Sequence, residues 1–233
     1  MIFYSTLPQN TCNLAESVSK FCAEHEEFFV KRAATLLSIV FSSLSLIPSL
    51  KTPASLALRC TALYAASYSE QKTEDSLLLK SLYSTKIAAI AAGIVGVAAS
   101  SHAFFAASLV ADIGFQSIQI YSTHFEPENE NSPLSKEGAA FGALFIDVLL
   151  LSGICAGSTP LLITASTIST LFMLICTSKE FASIAEAKGD EEKTYDHILN
   201  ALCYFSLSAT GALEVIDMMQ PAFYKNKNDE VLL

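Results

Sequence analysis

Between residues 77 and 121 the chain is apolar over about 45 positions, broken only by Lys80, Lys86, His102 and Asp112. About 20 apolar residues cross the hydrocarbon of a bilayer as a helix, so this stretch is too long for one span. Ala99-Ser100-Ser101-His102 is the natural place to turn, which predicts two helices, about 76–99 and 102–123. Hydrophobic residues make up 52% of the chain, charged residues 16%, and the mean hydropathy is +0.42. A soluble domain carries about 25% charged residues to wet its surface. The charges here are too few for that, and they are clustered. The expectation is an all-α, polytopic membrane helix bundle of about six or seven helices.

The same reading extends to both ends. Residues 33–50 carry no charge between Lys31-Arg32 and Lys51. Thr52-Pro53 then opens a helix over 53–69, with Thr as cap and Pro in the first position, apolar except for Arg59. A polar turn at 70–75 precedes the central stretch, and an acidic loop at 124–137 follows it. Residues 138–155 are apolar apart from Asp147, and Ala156-Gly157-Ser158 makes a turn. Thr159-Pro160 opens a span over 161–178 that runs on to 187. A charged loop at 188–193 leads to a last helix over 194–219, stopped by Pro221. Residues 1–30 form a leader and an amphipathic helix over 13–30, in which Asn13 and Glu16 resemble a capping box. Residues 31–220 form the membrane domain and 221–233 a polar tail. Superposing the two Thr-Pro pairs suggests a tandem three-helix duplication.

Links after the first, third and fifth helices are tight, and those after the second, fourth and sixth are charged. Tight turns therefore share one face and charged loops the other. Most Lys and Arg lie on the charged-loop face, which the positive-inside rule places in the cytoplasm. Lys225 and Lys227 fit this poorly, so the seventh helix is expected at the interface. Arg59 makes the second helix a marginal span.

Small residues mark packing faces. Ala88, Ala92 and Gly96, continuing to Ser100, recur every fourth residue, and Gly138–Gly142 and Gly153–Gly157 repeat the spacing on the fifth helix. In lipid, close backbone approach through small residues substitutes for the missing hydrophobic drive. Packing within one chain is preferred to a homo-oligomer face, because the chain has enough helices to use these stripes itself.

Three ionisable residues fall inside apolar helices: Arg59, Asp112 and Asp147. A charge at membrane depth needs a partner. The expected pair is Arg59 with Asp112 or Asp147, either fixing helix register or lining an ion path. Glu214 and Asp217 lie near a helix end and need no such account. The net charge of −9 argues against nucleic acid. The six cysteines contain no Cys-x-x-Cys pair, so no disulfide framework or metal site is expected. The four histidines are scattered, and no nucleophile elbow, phosphate loop or dinucleotide fingerprint occurs, so neither an enzyme nor a cofactor is expected. Residues 1–10 lack the basic and apolar regions of a cleavable signal.

Hairpins at 33–50 with 53–69, 76–99 with 102–123, and 138–155 with 158–178 follow the leader Phe3-Tyr4-Ser5-Thr6-Leu7-Pro8-Gln9-Asn10-Thr11. This layout resembles the inclusion-membrane proteins of chlamydiae, which pair hydrophobic helices across a tight turn behind a Ser/Thr/Asn-bearing N-terminus. The resemblance implies type III secretion and insertion into a host-derived membrane. The chain departs from it in having more than one hairpin pair and no long coiled coil. Those departures suit a resident of the bacterial inner membrane better. The leading expectation is a non-enzymatic membrane protein with a structural or interaction role, its partners the bilayer and a protein at the charged loops. The alternatives are a small transporter or channel component using Arg59, Asp112 and Asp147, and a soluble bundle with a large apolar core.

Overall fold

A computed structural model of the chain describes residues 17, 20, 21, 25–73, 76–125, 136–187 and 189–230. Among them are seven α-helices: α1 (Glu26–Leu44), α2 (Lys51–Lys72), α3 (Leu77–Ala99), α4 (His102–Phe125), α5 (Lys136–Ala156), α6 (Thr159–Glu186) and α7 (Glu191–Glu230). Half of the 13–30 amphipathic helix, the 126–135 loop and Lys188 lie outside the described residues.

Helix ends follow local chemistry. The Ser76 side chain accepts a hydrogen bond from the Leu79 N–H and caps α3. At the other end Ser100 takes the left-handed conformation (φ 48°), and the Ser101 N–H bonds back to the Gly96 carbonyl. Gly157 (φ 58°) repeats this stop after α5, with the Ser158 N–H bonded to the Gly153 carbonyl. Both are left-handed C-caps that reverse the chain within two residues.

The first hairpin departs from expectation. The 33–50 run is not one helix, since α1 begins at Glu26 and ends at Leu44. Pro48 has no N–H to offer the Leu44 carbonyl, and it disfavours helical geometry at Ile47. Successive turns over 45–50 carry the chain into α2 instead. Leu50 rather than Thr52 occupies the cap of α2, and Ser158 rather than Thr159 that of α6. The two Thr-Pro segments thus enter their helices through different turns, which leaves the proposed duplication without a shared local geometry. The last helix does not stop at Pro221 but continues to Glu230.

Five helices are long and apolar enough to cross a membrane: α3, α4, α5, α6 and the 193–219 part of α7. Neither helix of the first hairpin is among them, because α1 carries Lys31 and Arg32 and α2 is rich in Ser, Thr and charge. The last helix, expected at the interface, is among them. Between 6% and 22% of each span's most apolar window is buried inside the bundle. Val110, Phe141, Phe145, Leu171, Phe181 and Phe205 all point outward. A soluble bundle would turn such residues inward, whereas lipid accepts them.

Each helix packs against its neighbours in sequence, and α7 returns against α1, so the seven close into a ring. Consecutive helices run antiparallel. The seam between α1 and α7 is parallel: Arg32 meets Asp196 near both helix starts, and Ser45 meets Thr210 further along. The tight turns therefore lie on one face and the charged links on the other.

Candidate functional site

Small residues bring α3 and α4 together, on a face that includes Gly96 of the expected stripe but takes Ala89 and Gly93 in place of Ala88 and Ala92. Ala88 is exposed and Ala92 half-buried, while Ala89, Gly93 and Gly96 are buried. A Cβ on Gly96 would sit 3.1 Å from the Phe105 backbone nitrogen. Ser108 donates across the same contact to the Ala89 carbonyl at 2.9 Å. On α5 the glycines divide by role. Gly142 faces the Phe172 ring of α6 and Gly153 faces Leu162, whereas Gly157 serves the turn and has open space around it. Gly138, at the start of α5, is half-buried.

The α3–α4 contact leaves a gap above Gly93, and Arg59 of α2 fills it. A Cβ at Gly93 would overlap the Arg59 guanidinium, so any side chain there displaces it. The guanidinium also lies 5.7 Å from the centre of the Phe105 ring, within cation–π range. Asp112 of α4 and Glu214 of α7 are within its electrostatic reach. Among the described residues neither carboxylate makes a direct ion pair with it.

Asp112 in turn faces two cations, Arg59 and Lys86 of α3. Lys86 lies over the Phe115 ring at 5.5 Å. Asp147 of α5 couples to Asp112, a like charge, and not to Arg59. The three residues singled out in the sequence therefore occupy one interior region, with Asp112 between the other two. Sequence reasoning passed over Glu214 and Lys86. The signal for Lys86 was available, as a cation about two and a half turns into an apolar span.

A cavity of about 470 Å³ adjoins Arg59. Helix α2 lines it with Lys51, Thr52, Ser55, Leu58 and Arg59, and α7 with Leu207, Thr210 and Glu214. Ser42 and Ser45 come from α1 and its turn, Val97 from α3 and Phe105 from α4. The polarity that keeps α2 out of the set of membrane-spanning helices is thus turned toward the interior. Lys51 reaches Asp217 at 3.6 Å on the rim, which marks the tight-turn face as the open end.

The charged-link face is tied by other pairs. Arg32 is stacked between the Phe28 and Tyr195 rings (4.2 and 4.1 Å) while bonded to Asp196 at 2.9 Å. His197 meets Glu180 at 2.6 Å, Ser84 donates to Glu70 at 2.5 Å, and Lys72 meets Glu26 at 3.5 Å. These contacts hold the ring at its end and leave the charges near Arg59 as the polar group at mid-height.

No family model, no curated protein and no solved structure matches the chain.

Proposed function

We propose that this chain is a multi-pass membrane protein that works as a small transporter or channel component, with Glu214, Arg59, Asp112, Asp147 and Lys86 forming a polar path inside the helical ring. The observation that carries this reading is the convergence of charged residues from α2, α3, α4, α5 and α7 on one interior region beside a cavity open at one face. A charge pair that only fixed register would need two residues and would neutralise them by direct contact. Here the groups are held within reach of one another but apart, as a relay of sites requires. The structural or interaction role rests on the amphipathic 13–30 helix and the charged loops at 124–137 and 188–193; residues 126–135 and half of the helix lie outside the described residues.

By the positive-inside rule, Lys31, Arg32, Lys72 and Lys193 put the charged-link face in the cytoplasm, and the cavity opens on the other side. A ring of seven helices goes well beyond a paired hairpin, which supports residence in a bacterial inner membrane over insertion into a host-derived one. No enzymatic step is proposed.

The test is proton flux into liposomes that hold the purified chain, read with an entrapped pH dye under an imposed membrane potential. Flux above that of empty liposomes is expected, reduced about tenfold or more by Asp112→Asn, a change that removes the central charge at little cost in shape. Flux equal to that of empty liposomes, or unaltered by the substitution, removes the proposal.

A further inference from the structure

One feature of the cavity points to the chemistry of what it holds, and this inference rests on reading it as the entrance of the transport path. Arg59 and Glu214 share the cavity and lie within electrostatic reach, yet among the described residues no direct ion pair closes the gap between them.

A simple anion would satisfy Arg59 and be repelled by Glu214. A simple cation would meet the reverse problem. A ligand carrying both charges satisfies the two together, its carboxylate forked on the guanidinium and its ammonium on the Glu214 carboxylate. The remaining wall sorts the rest of the molecule, since Phe105, Val97 and Leu207 offer it apolar surface. The volume of about 470 Å³ lies within the range of small-molecule sites. We propose that the cavity binds a zwitterionic α-amino acid with an apolar side chain, held between Arg59 and Glu214.

Calorimetric titration of the full chain in detergent, with three probes, tests this. Leucine carries both charges, isocaproate lacks the ammonium, and isoamylamine lacks the carboxylate. Leucine is expected to bind, and each half-ligand to bind about tenfold or more weakly, because one charge of the site is then left without its partner. Glu214→Gln should weaken leucine by about tenfold and strengthen isocaproate, whose carboxylate Glu214 no longer repels. Glu214 is exposed at the mouth of the cavity, so this variant keeps the fold even where Arg59→Gln does not. Absence of leucine binding to the wild-type chain overturns the assignment. Equal binding of leucine and isocaproate, indifferent to Glu214→Gln, also overturns it and leaves a site for simple anions. Leucine binding in a chain that conducts no protons upholds this site and removes the transport reading; proton flux without leucine binding removes this inference alone.

Discussion

Glycines at the same spacing on α5 answer to different forces, and substitution separates them. An added methyl at Gly142 would meet the Phe172 ring at 2.5 Å, so Gly142→Ala should cost about 1–3 kcal/mol through overpacking. Gly157 has free space but a φ of +58°, so Gly157→Ala should cost about 1–2 kcal/mol through backbone strain. Asparagine separates the two cases, because it tolerates the left-handed region and therefore suits position 157 but not 142. Unfolding of the purified variants by SDS titration checks all three; equal losses for Asn at both positions would contradict the division. In the sequence these residues read only as two Gly-x-x-x-Gly pairs. Arg59, Asp112 and Asp147 were legible as charges in apolar surroundings, because a lone charge stands out against such a background. Glu214 was not, because Pro221 suggests a helix end nearby, whereas α7 continues to Glu230 and leaves Glu214 on the cavity wall.

Helices of this chain are set by apolar length and by the few residues able to stop them. Spans α3 to α6 were legible to within two residues, because the Ser100 and Gly157 turns interrupt long apolar runs. The end of α1 was not, since Ser43 and Ser45 bond back to the carbonyls of Ile39 and Ser42 without any break in hydropathy. The packing face of α3 was legible at Gly96 but not at Ala89 and Gly93. Alanine and glycine at 88, 89, 92, 93 and 96 leave several stripes open, and the choice is made by Arg59 over Gly93 and Ser108 under Ala89. Ala88→Leu should therefore change stability by no more than about 0.5 kcal/mol, as at an exposed site. Ala89→Leu should cost about 2 kcal/mol or more, since Ala89 is 0% exposed. Thermal unfolding in detergent discriminates the two; a larger loss at position 88 would restore the other stripe.

Seven helices joined in a ring have one contact that sequence order does not supply, the parallel seam between α1 and α7. Polar side chains make it: Arg32 with Asp196 at one end, and Ser45 and Thr210 (3.4 Å apart) toward the other. Thr210 also donates to the Ser42 carbonyl at 3.4 Å. Without this seam the charges near Arg59 would face lipid, where an unpaired ion is costly. The cavity and the path proposed through it thus depend on closure, which no periodicity in the sequence reveals, because the pairing joins residues 165 positions apart. Disulfide formation in native membranes between cysteines at positions 45 and 210, in a chain lacking its other cysteines, tests closure directly. A Thr170→Cys/Gly211→Cys pair across α6 and α7 serves as the control. Efficient cross-linking of both pairs, read as fragments that stay joined after cleavage in the 187–190 link, which separates the members of each pair, is the expected result. A control that cross-links while positions 45 and 210 do not would show an open arrangement of helices, and the polar interior would fall with it.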